Sequence, residues 1–143
     1  MLRYSSVGSS ALLAFTVGCG GAQSGDWREL DREERLAYMS DVVEPTMREM
    51  FQENDPERWA DFSCHSCHGD DFVERDYAMP ADLFALPLDG TLDSAMAHDP
   101  ETTAFMLEEV FPVFVDLIGE TKYASGSNPD GYRCVGCHAV APG

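Results

Sequence analysis

The pattern C-x-x-C-H occurs twice in this chain, at residues 64–68 and again at residues 134–138. Two cysteines three residues apart place both sulfurs on one side of a helical turn, and the adjoining histidine follows them. This is the spacing at which two thiols form thioether bonds to one haem while the histidine ligates its iron. Because the two segments use four of the five cysteines, we predict two covalent c-type haems.

Each predicted haem is held by three residues of one motif. The two sets are Cys64, Cys67 and His68 for the first haem, and Cys134, Cys137 and His138 for the second. Two other chemistries use the same cysteines: a zinc site would gather all four around one ion, and redox-active pairs would make each C-x-x-C a thiol-disulfide couple. The zinc hypothesis leaves both histidines without a role, and thioredoxin-like pairs come with a strand-helix pattern that is missing here.

The motifs end two longer units that share the order of cap, helix, proline, loop and C-x-x-C-H. The first unit spans residues 31–68 and the second spans residues 99–138, and residues 69–91 between them lack sustained periodicity. Units of this size cannot bury a core alone, so the haems are expected to supply much of the apolar interior. We therefore predict an all-α fold of two repeated helix-turn-CxxCH units with long irregular connections.

Local signals place the two main helices. Asp31 and Glu34 have capping-box spacing, and Asp99 reads as a cap with Pro100 behind it. Pro45 is expected to kink the first helix or to start the next one, because proline lacks a backbone N–H.

A sixth iron ligand that is needed twice should appear in both units. Met39 and Met106 occupy equivalent positions in the two predicted helices, so we predict them as the sixth ligands. Ordinary core packing is the alternative for both methionines. Further candidates for this role are Met47, Met50, Met79 and His98.

Residues 1–18 read as an export signal. Arg3 is the only charged residue before a short apolar run at residues 11–17, which is too short to span a bilayer. The sequence that follows resembles a bacterial lipoprotein cleavage box, so we predict lipidation of Cys19; ordinary cleavage after Ala22 is the alternative. We therefore expect a periplasmic protein that reaches the membrane through a lipid anchor only.

The mature chain is predicted to consist of a flexible tether at residues 19–30 and one dihaem cytochrome c domain at residues 31–143. The full chain has a formal net charge of −17, and its nine lysines and arginines are scattered. Such a surface disfavours nucleic acid and anionic membranes as partners, and suits redox proteins with basic docking surfaces. A solubilising surface with no docking role is the alternative.

The order of helix, turn and C-x-x-C-H over residues 31–138 resembles the haem-binding units of the photosynthetic reaction-centre cytochrome c subunit family. This chain is similar to a two-haem version of that tetrahaem protein, and its motif cysteines and histidines match the family residue by residue. The resemblance implies electron transfer between proteins. It also implies a methionine sixth ligand on the helix that precedes each motif.

The sequence thus predicts an exported electron carrier with two haems and no catalytic residues. Two alternatives belong to other classes. One is a small haem enzyme or sensor with an open iron site, although the chain is short for a dedicated substrate domain. The other is a zinc-binding CxxC/CxxC interaction module.

Overall fold

The computed structural model describes residues 27–79, 83–88 and 91–141, which form helices and no β-strand. The predicted all-α class is therefore confirmed for these ranges. The predicted signal segment and Cys19 lie outside them. The elements in chain order are α1 (Arg32–Tyr38), a first π segment (Met39–Val43), α2 (Glu44–Asn54), α3 (Cys64–His68), α4 (Asp93–His98), α5 (Pro100–Phe105), a second π segment (Met106–Val110), α6 (Phe111–Leu117) and a 3₁₀ turn (Cys134–Gly136).

Two continuous helices dominate the fold. We call α1, the first π segment and α2 together the first long helix, because the residues at both junctions keep right-handed helical backbone angles. The second long helix consists in the same way of α5, the second π segment and α6. The two long helices therefore repeat one α–π–α order.

Each π segment directly precedes a proline near the start of the next α-helix. Pro45 and Pro112 hold these positions. A proline ring clashes with the carbonyl four residues earlier, and widening that turn relieves the clash. The backbone N–H of Glu44 accordingly donates to the Met39 carbonyl, five residues back. Pro45 was expected to kink the helix or to start the next one; it is the second residue of α2, and the backbone widens into the π segment before it and stays helical.

The helix caps follow the sequence signals closely. The Asp31 carboxylate accepts from the Glu34 N–H at 2.9 Å, and the Glu34 carboxylate accepts from the Asp31 N–H at 2.9 Å. The Asp99 carboxylate accepts from the Thr102 N–H at 3.0 Å at the start of α5. Helix α4, which ends directly before Asp99, was not predicted. It has only six residues and no side-chain cap, so little in the sequence marks it.

The two long helices pack antiparallel around one aromatic core. The Tyr38 hydroxyl near one end donates to the Leu117 carbonyl at 2.6 Å, while Phe51 meets Phe105 with ring centroids 5.1 Å apart. Phe62, which leads into the first motif, stacks on Phe51 at 4.7 Å. The buried members of this core cluster are Val43, Met47, Phe51, Phe62, Phe105 and Val110.

Irregular segments are fastened to the long helices by charged contacts. Arg28 makes two contacts of 2.6 Å with the Glu120 carboxylate, and Arg58 binds Asp99 at 3.3 Å and Thr102 at 2.8 Å. These contacts hold the segment before α1 near the end of the second long helix, and the segment before the first motif near its start. Within the described ranges, no helix has both the length and the apolar character needed to cross a bilayer.

Candidate haem sites

The first motif is itself a short helix. Helix α3 begins after Ser63, whose backbone N–H donates to the Ser66 hydroxyl at 3.1 Å. Cys67 packs against the core cluster, whereas Cys64 is half-buried at the start of the helix. Sequence spacing predicted a helical turn at this motif, and α3 contains Cys64, Cys67 and His68.

His68 ends α3 with its ring partly enclosed. Its Nδ1 atom is buried without a hydrogen-bond partner among the described residues. Burial lowers the pKa of the imidazole, and the nearby backbone of Tyr77 opposes that shift. The Tyr77 ring lies edge-on to the His68 ring, with centroids 6.3 Å apart. A buried imidazole held neutral keeps a lone pair on one ring nitrogen, which is the form that binds a metal.

Arg75 organises the loop that covers this histidine. Its guanidinium donates to the His68 carbonyl, to the Asp71 carboxylate at 2.7 Å and to the Met79 carbonyl at 3.2 Å. The same loop contains two consecutive residues with positive φ, of which Tyr77 at 62° is the second. Because L residues adopt this backbone at a cost, the surrounding contacts must hold it.

The second motif forms a 3₁₀ turn followed by Cys137 and His138. The Tyr132 ring packs directly on Gly136: a Cβ added there would lie 2.6 Å from the ring atom Cζ. The Tyr132 hydroxyl lies 3.5 Å from Cys137 Sγ. Only glycine leaves room for this ring, so the motif and the aromatic residue before it fit together as one unit.

His138 is oriented by a segment distant in sequence. Its Nδ1 atom lies 2.9 Å from the carbonyl oxygen of Phe84. We call residues 83–88 the strap. At the middle of the strap, the buried Leu86 donates its N–H to the Ala139 carbonyl at 2.8 Å and accepts from the Ala141 N–H at 2.9 Å. The strap therefore pairs with the residues that directly follow His138, next to the hydrogen bond between His138 and Phe84.

An apolar cleft of about 220 Å³ opens beside Cys134. Its walls come from the strap side, from the second long helix and from the loop before the motif. Three lining side chains are large and exposed: Leu88 (60%), Leu107 (47%) and Tyr123 (38%). A planar apolar group bound through Cys134 would cover this surface, which water otherwise contacts.

The candidate sixth ligands fall into two groups. Met39, Met47, Met50 and Met106 all lie in or against the core cluster, as does Cys67. Met39 and Met106 are the first residues of the two π segments, so their equivalence extends to backbone geometry. Such π turns inside α-helices are frequent at functional sites.

The other two candidates lie outside the core. Met79 is half-buried at the end of the loop held by Arg75. His98 is exposed and stacks on Phe84, with ring centroids 4.7 Å apart and planes at 16°. It therefore lies next to the residue whose carbonyl binds the Nδ1 atom of His138.

The state of the thiols bears on the alternative chemistries. All four motif cysteines are free. Burial raises the pKa of the Cys67 thiol to about 12 and also raises that of Cys137. Redox-active cysteines require the opposite shift, toward the thiolate. Among the described residues, no three His, Cys, Asp or Glu side chains gather in a geometry for an ion.

Sequence reasoning missed the positioning groups. The strap lies in the connection that was read as irregular, and a backbone carbonyl such as that of Phe84 leaves no signature in the sequence. The contact of Tyr132 with Gly136 had a weak signal, because glycine at that point permits close approach of another group. Comparisons with protein-family models, with curated proteins and with solved structures found no match to this chain.

Proposed function

We propose that this chain is an exported dihaem c-type cytochrome that carries electrons between proteins. One observation carries the proposal: His138 follows a C-x-x-C pair and its Nδ1 lies 2.9 Å from a backbone carbonyl. A carbonyl only accepts, so this contact requires the proton on Nδ1 and leaves the lone pair on Nε2. Histidines that bind metals are commonly fixed in this tautomer by such a partner.

The chain supplies attachment, orientation and exclusion of water. Cys134 and Cys137 with His138 would hold one haem, and the apolar cleft beside Cys134 provides a wall for it. Cys64 and Cys67 with His68 would hold the other against the core cluster. When bound, such groups supply reversible one-electron chemistry.

Met39 and Met106 are the proposed sixth ligands. They begin the two π segments at equivalent places, and both are half-buried against the core cluster. A thioether ligand favours the reduced iron relative to a second histidine, so both potentials should be moderately high.

The charge supports the choice of partner. With a formal net charge of −17, the protein attracts proteins with basic docking surfaces, and high salt should slow their association. Exposed Glu57 and Asp61 beside the exposed His65 of the first motif contribute to that field. The signal segment at residues 1–18 and lipidated Cys19 would place the carrier in the periplasm, tethered to a membrane.

Intact mass and a visible spectrum of protein made with a haem-attachment system test the proposal. We expect two covalent haems in the natural chain. Cys64→Ala with Cys67→Ala should remove one, and Cys134→Ala with Cys137→Ala should remove the other. Ser66→Ala is the matched control, since it changes the interior of a motif without touching a thiol. A colourless protein with no added mass would refute the proposal.

The same preparation discriminates the enzyme or sensor alternative. Two six-coordinate low-spin haems that do not bind carbon monoxide would support an electron carrier. A high-spin haem that binds carbon monoxide or peroxide has an open position and favours catalysis or sensing.

A further inference from the structure

The two motif histidines have different surroundings. His138 has a backbone acceptor for its Nδ1 proton, the Phe84 carbonyl at 2.9 Å. The Nδ1 atom of His68 is buried and has no hydrogen-bond partner among the described residues. The repeated helices are alike in their α–π–α order, so this difference arises in the segments that cover the motifs, which are the Arg75 loop and the strap.

Both motifs border a cleft and a cation. A cleft of about 290 Å³ opens onto His65 and Ser66 of the first motif, and Arg133 lines the cleft beside Cys134. The Arg75 guanidinium likewise donates to the His68 carbonyl. The hydrogen bond to His138 is therefore the feature that distinguishes the two sites.

This difference acts on an iron centre in one direction. A hydrogen bond from Nδ1–H to a carbonyl makes the imidazole a stronger electron donor, which stabilises the oxidised, more positive iron. The first site, whose histidine lacks such a bond, should therefore be the easier one to reduce.

We propose that the strap tunes the second site, so that the haem at His138 has a lower reduction potential than the haem at His68. This inference rests on the proposed function. It gives the carrier a direction, since an electron entering at the second motif moves downhill to the first. Leu86, Ala139 and Ala141 act as positioning residues, because their mutual hydrogen bonds keep the Phe84 carbonyl on His138.

A spectroelectrochemical titration of the dihaem protein tests the order. We expect two one-electron waves that differ at least tenfold in equilibrium constant, which is about 59 mV for a one-electron couple. Ala141→Pro removes the N–H that donates to the Leu86 carbonyl. The residue before it, Val140, already forms a bridge with Leu86, which is extended backbone that proline permits. Ala141→Ser keeps the N–H and is the matched control.

Ala141→Pro should raise the lower of the two reduction potentials. The expected shift corresponds to about a fivefold change in the equilibrium constant for reduction, the effect of weakening one ordinary hydrogen bond. The upper wave and both waves of Ala141→Ser should stay in place. Leu86→Ala removes the buried side chain at the middle of the strap and should also raise the lower reduction potential. Agreement between the two variants shows that the shift does not come from local misfolding of one of them.

The outcomes separate this inference from the proposed function. A protein without covalent haem refutes both. Two haems with coincident waves refute the inference alone. So does a shift of the upper wave instead of the lower one, or variants of the strap that move neither wave.

Discussion

The substitution Gly136→Ala tests how closely the second motif packs against its aromatic neighbour. The new Cβ would lie 2.6 Å from Cζ and 2.8 Å from the hydroxyl oxygen of Tyr132. Ordinary contact begins at 3.4 Å, so the ring must move by about 0.8 Å. The Tyr132 ring packs against α6, with its centroid 6.4 Å from that of Phe111 and 5.8 Å from that of Phe114.

Two opposing terms decide the sign of the effect. Replacing glycine by alanine in a permitted backbone conformation gains about 0.4–1 kcal/mol through the unfolded chain. Overpacking of this degree costs about 1–3 kcal/mol. We therefore expect Gly136→Ala to lower the free energy of unfolding by about 1–2 kcal/mol, measured by urea unfolding with far-UV circular dichroism on protein of equal haem content.

A double-mutant cycle isolates the contact. In a Tyr132→Ala background the ring is gone, so Gly136→Ala should be neutral or stabilising there. An equal cost in both backgrounds, or a Gly136→Ala protein as stable as the natural one, would show that the ring does not lie over Gly136 as described.

Three further predictions use the core, a cap and the proposed ligands. Phe51→Ala should cost about 3–5 kcal/mol in urea unfolding, because its ring is 6% exposed and meets three aromatic rings, whereas the exposed Met96→Ala should change little. The backbone N–H of Thr102 at the start of α5 lowers the pKa of Asp99, so the ionised carboxylate stabilises the fold above pH 3.8 and this stabilisation is lost as the pH falls below that value. In thermal melts recorded over a pH series, Asp99→Asn should reduce the fall in melting temperature below pH 3.8. Met39→Ala and Met106→Ala should each remove part of the weak near-infrared band of methionine-ligated haem, with Met96→Ala as the control; an unchanged band in either variant rules that methionine out.

The helical framework was predictable from sequence because its signals are local. The capping box at Asp31, the cap at Asp99 and the prolines each act within one or two turns, and both caps lie where these signals put them. The strap was not predictable in the same way. The strap contacts the second motif through hydrogen bonds of backbone groups that are far apart in the chain. Because almost every residue has these groups, the sequence does not mark them.

The antiparallel packing of the long helices also lay beyond sequence reasoning. Apolar residues on each helix show that a face is buried but do not name the element that covers it. The contact of Phe51 with Phe105 joins the two long helices in one core.

Each π segment also accommodates one extra residue without rotating the helix that follows it. A π hydrogen bond spans five residues where an α bond spans four, so each segment holds one residue more than a plain α-helix would. Deleting the exposed Ser40 would therefore restore the plain α repeat while α2 keeps its orientation relative to α1. Met47 and Phe51, which are 5% and 6% exposed, would stay in the core. The π segments are thus places where the helices can change length by one residue without moving the buried face that follows.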